Sequence, residues 1–270
     1  MKTEALDLAV QAAHREVFNV DAQALTDLCL AVQMDAIDKL TPDARWVWLS
    51  AGLMAPWPAH FFLALRACAG LKRLLPEVDA LFGVPQLSDQ PEPVDVGLHQ
   101  LQVLQQTALA QAPLTVRFAA LMHKIGKGGT ARDIWPSHYK HEQRAHVLLQ
   151  VITQRMSVPP PARALATLVI DECDRVHRAS DMRAGPIAAM LDRLQAQHKP
   201  QQFEDLLLVC ACDYAAYADH TQADYPKGPR LRRALAAYIA TDTQGLSADE
   251  ALHARAMAIA QVLRSQASTH

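Results

Sequence analysis

Apolar positions along the chain recur at three- and four-residue spacing far more often than they alternate, which predicts helices joined by short polar breaks. Thr41 can cap a helix that carries Pro42 at its first position, where a missing N–H is no loss. A second helix is expected from about Pro58 to Cys68, with Gly70 placed to end it in a left-handed turn. Leu98, Leu101, Leu104 and Ala108 mark one face of another helix. Pro159, Pro160 and Pro161 open a long one that runs through Leu165, Leu168 and Val169 toward His177. Near the C-terminus, Ser247-Ala-Asp-Glu250 reads as a capping box before an Ala-rich helix.

No hairpin signal or β-rich alternation competes with this pattern, so the expected fold class is all-α. The segment Val84 to Val94 holds Pro85, Pro91 and Pro93 and reads as a linker or ordered loop. It divides an N-terminal helical segment, 1–84, from a main helical domain, 85–270. A second loop spans Gly126 to Pro136 and ends at Trp135-Pro136.

Composition agrees with helix: Ala, Leu and Gln abound, and glycine is limited to 10 of 270 residues. A formal charge of -2 gives the chain no broad basic field, so tight nucleic-acid binding would need a local patch. Lys227, Arg230, Arg232 and Arg233 form the one candidate, and a solvated helix face is the preferred reading of it. The five cysteines, Cys29, Cys68, Cys173, Cys210 and Cys212, include no CxxC pair, which suggests free thiols in a reducing compartment. No apolar run approaches the ~20 residues of a membrane span, and no secretory leader is evident. A cytoplasmic protein without a membrane partner is the expectation, with oligomeric state left open. Trp46, Trp48 and Trp57 read as core anchors in preference to a partner surface.

The candidate chemistry lies in the histidines, 12 in all. His99 falls on a helix and His123 at the end of the next, within Arg117-Phe-Ala-Ala-Leu-Met-His-Lys-Ile-Gly-Lys-Gly128. His138 and His141 follow the glycine-bearing loop, and Asp174 and His177 lie on a later helix. Imidazoles and carboxylates converging from several helices are the usual way helical domains build metal or phosphate sites. Any one of these histidines alone is more often an ordinary core or surface residue.

The order His99, His123, His138-x-x-His141, Asp174 resembles the HD superfamily of metal-dependent phosphohydrolases. Flanking text is closer to one branch, the C-terminal half of bacterial CCA-adding tRNA nucleotidyltransferases. The matching segments include Leu75-Pro-Glu-Val-Asp-Ala-Leu-Phe-Gly-Val-Pro85, Val94-Asp-Val-Gly-Leu-His99, Val116-Arg-Phe-Ala-Ala-Leu-Met-His123, Trp135-Pro-Ser-His138 with His141-Glu142, and Asp224-Tyr-Pro226. The similarity runs from about Leu40 to about Tyr238, and the first forty residues read as extra helices. An HD-like helical core is what the resemblance implies. It also implies His123, Lys124 and Asp174 at the catalytic centre and His99, His123 and Asp174 as ligands of any metal. Lys127, His138, His141 and Arg175 would face a phosphate or other substrate.

Two departures from the family qualify this. No glycine-rich motif with paired aspartates is found that could hold two magnesium ions, so the chain is not expected to add CCA on its own. The family's His-Asp pair is His123-Lys124 here, while Cys173 and Tyr139 stand where the family has further histidines. Lys124 offers no oxygen ligand, and its ammonium repels a divalent cation. At ~4 Å and an effective dielectric of about 20, unit charges interact by about 4 kcal/mol, and a divalent ion doubles that. The expected cofactor is therefore none, or one divalent metal (Ni, Mn or Mg) in a weakened site. An ion pair between Lys124 and Asp174 is expected where the metal would sit. The favoured function is a stand-alone, catalytically impaired protein binding a nucleotide, phosphate or tRNA. Alternatives are an active phosphatase or 2′,3′-cyclic phosphodiesterase, and a partner-binding scaffold.

Overall fold

The computed structural model describes residues 4–88, 92–180 and 182–264. Among them the periodic segments close into fourteen helices. They are α1 (Glu4–Ala12), α2 (Ala22–Gln33), α3 (Pro42–Met54), α4 (Pro58–Ala67), α5 (Gly70–Leu74), α6 (Pro76–Asp79) and α7 (Val96–Leu109). The rest are α8 (Leu114–Met122), α9 (His141–Arg155), α10 (Pro160–His177), α11 (Ala184–Arg193), α12 (Pro200–Ala215), α13 (Lys227–Ala240) and α14 (Ala248–Arg264). The fold class is all-α, as the pattern predicts.

Local capping signals translate directly. The Thr41 hydroxyl accepts from the Ala44 N–H at 3.2 Å with Pro42 at N1. Ser247 and Glu250 exchange backbone-to-side-chain bonds at 2.9 and 3.4 Å, a reciprocal capping box. Two details differ from the pattern. The left-handed residue after α4 is Ala69 (φ 58°), not Gly70. Gly70 instead begins α5, where an added Cβ would lie 3.1–3.2 Å from Leu65, Ile37 and Val32, so close packing explains this glycine. On α7, Leu98 is 55% exposed, and the inward stripe is Val96, Gln100, Leu101, Val103, Leu104 and Thr107.

Helix α8 is the axis of the molecule. Every residue from Val116 to Met122 is buried, the signature of a helix apolar on all sides and enclosed by neighbours. It packs against α3, α7, α10 and α12. Its one charged member, Arg117, donates to the carbonyls of Ala112, Leu53 and Ala55 at 2.8–3.1 Å, tying the end of α3 to the axis. One contiguous apolar cluster runs from Leu6 to Ile259, with contributions from both sides of position 84. Trp48 is buried edge-on against Phe61, and the half-buried Trp46 meets Phe118 at 5.3 Å. All five cysteines are free thiols.

In the proline-punctuated segment between α6 and α7 the described residues form a short ribbon, and Pro91 lies outside the described residues. Strands β1 (Pro85–Gln86) and β2 (Val94–Asp95) pair antiparallel, with Pro85 opposite Asp95 and Gln86 opposite Val94. Asp95 then caps α7 by accepting from Leu98 N–H at 2.8 Å. No helix among the described residues is long and apolar enough to cross a membrane.

The turn after His123 is held by Gly126. A Cβ there would lie 2.8 Å from the Ala145 nitrogen and closer still to the His141 carbonyl oxygen, both backbone atoms of α9 that cannot swing away. Gly126→Ala is therefore expected to destabilise the protein by at least about 3 kcal/mol in chemical denaturation, the upper range for overpacking. Gly185→Ala, with nothing within 4 Å of its added methyl, should instead leave stability unchanged or raise it by up to about 1 kcal/mol.

Candidate functional site

Four helices meet at one buried carboxylate. His99 is a buried residue of α7, and His123 and Lys124 directly follow α8. His177 ends α10, and Asp213 lies on α12 in line with the buried Phe203, Leu206 and Cys210. Exposure of His99, His123, Lys124 and Asp213 is only 3–4%, so each polar atom must find a partner inside the protein.

Asp213 supplies most of those partners. Its Oδ1 faces His99 Nε2 at 2.7 Å, His123 Nε2 at 3.3 Å and the Lys124 ammonium. Its Oδ2 faces His177 Nε2 at 3.0 Å. Lys124 Nζ also lies 3.0 Å from His99 Nε2. His123 Nδ1 sits 2.6 Å from the Ala120 carbonyl, so both ring nitrogens face acceptors. His99 Nδ1 is buried without a partner.

The charges follow from burial and pairing. Burial opposes ionisation of Lys124, but the adjoining Asp213 outweighs it and holds the ammonium charged. Burial likewise acts against the Asp213 carboxylate, which Lys124 and the three imidazoles nevertheless keep well below the usual range. Burial and the neighbouring Lys124 push His99 down to about 4, so it is neutral. His177 is driven up to about 10, against its burial, by the Cys173 sulfur and Asp213.

The ion pair of Lys124 is therefore with Asp213, where the sequence suggested Asp174. Asp174 lies one step outward, on the wall of a cleft of about 560 Å³. That cleft is lined by Gln86, Lys124, Lys127, Asp174, His177, Asp213 and Tyr217, among others. Lys127 donates to Gln86 Oε1 at 2.9 Å, and Gln86 Nε2 donates to the Tyr217 hydroxyl at 3.0 Å. Burial and the charge on Lys124 lower Lys127 to about 8. Asp174 stays ionised, lowered by Lys127 and His141 against its burial.

The remaining expected residues lie at the edge. His141 Nε2 is 3.7 Å from Asp174 Oδ2, and both line a shallower depression beside the cleft, together with His138. His138 has both ring nitrogens engaged: Nε2 donates to the Pro85 carbonyl at 2.7 Å and Nδ1 meets the Thr130 hydroxyl at 3.0 Å. Arg175 is turned to the buried Glu172 at 2.8 Å, which also takes two bonds from Arg193. It is not among the residues that line the cleft. In the basic patch, Arg232 pairs with Glu204, and Arg230 reaches the Met182 carbonyl at 3.5 Å. Lys227 alone of that group lines the cleft.

Sequence reasoning missed Asp213, and with it Tyr217 and Gln86. A signal for Asp213 was present: Phe203, Leu206, Cys210 and Asp213 follow helical spacing, which places a carboxylate on an apolar stripe.

Which donors could hold a metal follows from this geometry. An ion bound by His99, His123 and Asp213 would lie about 2 Å from each donor atom. Lys124 Nζ already occupies the space beside His99 Nε2 and Asp213 Oδ1, so these residues do not fit a divalent cation while Lys124 stays in place. Among the described residues, three sets of His, Cys, Asp or Glu side chains lie close enough to share an ion: Cys173, His177 and Cys210; His123, Cys173 and Asp213; and His141, Glu142 and Asp174.

No protein-family model matches the chain. Curated relatives do. The protein named "Multifunctional CCA protein" of Polaromonas naphthalenivorans is 38% identical over 244 residues, which are 90% of this chain and 58% of that protein. Its namesake in Verminephrobacter eiseniae is 38% identical over 97% of this chain and 66% of its own length. A third, from Acidovorax sp. (strain JS42), is 41% identical over 79% of the chain and 50% of its own length. The chain thus spans one half to two thirds of the length of the relatives it matches. From these matches, which cover nearly all of its own residues, the chain is related to the CCA-adding enzymes.

Proposed function

We propose that this chain is an HD-type relative of the CCA-adding enzymes in which a lysine ammonium has taken the place of the catalytic metal. In this reading it binds a phosphate-bearing ligand, a nucleotide or an RNA end, without the metal-dependent hydrolysis of the family. The observation that carries it is the position of Lys124 Nζ, against Asp213 and 3.0 Å from His99 Nε2, inside the donor set that would hold the ion. Asp213 fills the part that the sequence resemblance assigned to Asp174.

A lysine in this place changes the chemistry available. A divalent ion would polarise a phosphoryl oxygen and activate a water molecule. An ammonium can only donate hydrogen bonds and offset charge. The cleft nevertheless suits an anion. Lys124 and His177 are charged and Lys127 is charged below about pH 8, against the two carboxylates Asp174 and Asp213. One positive charge is left over at neutral pH. Lys127 and Tyr217, joined through Gln86, are placed to hold phosphate oxygens, and the Tyr217 ring offers a stacking face beside them.

The direct test is Lys124→Asp. It removes the ammonium and restores an oxygen donor beside His99, His123 and Asp213. The variant is expected to bind one equivalent of Ni²⁺ or Mn²⁺ and to gain hydrolysis of a generic phosphodiester. Metal-stimulated hydrolysis by the unmodified protein, abolished by His123→Ala, would overturn the impaired reading.

A second expectation concerns pH. A nucleoside monophosphate is already a dianion above about pH 7. Its affinity for the unmodified protein should fall by up to about tenfold per pH unit as pH rises beyond about 8, because Lys127 loses its charge there. In Lys127→Met, binding measured by calorimetry should be weaker and lack this decline.

A further inference from the structure

Beneath the floor of the cleft, α10 and α12 bring two thiols together. Cys173 Sγ and Cys210 Sγ are 3.6 Å apart, and Cys173 Sγ is 3.5 Å from His177 Nε2. These spacings are those of a tetrahedral metal centre. Zinc lies about 2.3 Å from sulfur and about 2.0 Å from nitrogen, so tetrahedral angles separate two sulfurs by about 3.8 Å and a sulfur from a nitrogen by about 3.5 Å. Asp213 Oδ2 lies 3.0 Å from the same His177 nitrogen. The other nitrogen, Nδ1, lies 3.1 Å from the Tyr225 hydroxyl, the kind of outer hydrogen bond that fixes the tautomer and tilt of a ligating imidazole.

The geometry points to a zinc site made by Cys173, His177 and Cys210, with the Asp213 carboxylate as fourth donor. This centre is displaced from the position that Lys124 fills, and it depends on that reading: the two cannot share Asp213 unless Lys124 remains an ammonium. Charge explains why the displaced position suits a metal. Binding releases the two thiol protons and the extra proton of His177 to solvent, so that His177 ligates as a neutral imidazole. Two thiolates and Asp213 then exceed the charge of the zinc ion by one, and the neighbouring Lys124 cancels the excess. An ion among His99, His123 and Asp213 would instead leave two uncompensated positive charges in a buried setting. Thiolates also select zinc over magnesium or manganese, which favour oxygen donors. His177 and Asp213 line the cleft and give the ion a route in, whereas both sulfurs are buried.

The test is a titration of the reduced full-length chain with Co²⁺, followed by competition with Zn²⁺. One equivalent of Co²⁺ should give the visible bands of tetrahedral cobalt and a near-ultraviolet thiolate charge-transfer band, both erased by Zn²⁺. Cys173→Ser and Cys210→Ser should each weaken binding by more than about 100-fold, beyond what the loss of an outer partner costs. Cys212→Ser, a buried thiol outside the trio, should keep the full spectrum. X-ray absorption of the zinc-loaded unmodified protein, which requires no variant to fold, should show two sulfur and two lighter neighbours. Cobalt bound without the charge-transfer band would place it on nitrogen and oxygen donors and overturn this inference; if that binding were also lost in His123→Ala, the ion would lie beside Lys124 and the reading of Lys124 would fall as well. Absence of binding would overturn this inference and leave that reading intact.

Discussion

The pairing of Lys124 with Asp213 is the constraint around which the centre of this protein is arranged. Either charge alone would be costly at 3–4% exposure, and removing one member of such a pair typically costs 3–5 kcal/mol. Together they satisfy each other and recruit His99 and His123 as neutral partners, whose ionisation burial, and then the adjacent ammonium, suppresses. Because Lys124 directly follows α8 and Asp213 lies on α12, the pair also ties the end of the axial helix to one of its main neighbours. Asp213 further reaches α10 through His177. A single carboxylate thus joins side chains from α7, α8 and α10 to α12.

Much of the fold was legible because its signals are local. Thr41 with Pro42, Ser247 with Glu250, and the prolines before α10 act within a turn of the helix they start, so sequence neighbours suffice to read them. Exposure on α7 was not legible to the same degree: Leu98 and Leu101 are both apolar, and only the position of α8 and α12 decides which is enclosed. The same limit separates Gly70 from Ala69. The left-handed turn went to an alanine because Gly70 was needed for close approach to Leu65, Ile37 and Val32.

The candidate site shows where sequence reading stops. His99, His123 and Lys124 were found through their resemblance to a motif, and the structure gathers all three. Their carboxylate partner is 89 residues from Lys124, on a helix whose register no nearby residue reveals. Asp174 was the nearer choice in sequence, but α10 directs it to the cleft wall. His138 is an example of the opposite kind: prominent in the motif, yet both its nitrogens serve to hold the loop against Pro85 and Thr130.

The short ribbon of β1 and β2 has an implication of its own. Gln86 is the hinge-post of the cleft, bridging Lys127 and Tyr217 from a segment that contributes little to the main apolar cluster. Residues on such a connector can diverge without disturbing the helices beneath it. The cleft wall at Gln86 can thus change while the buried pair of Lys124 and Asp213 stays fixed.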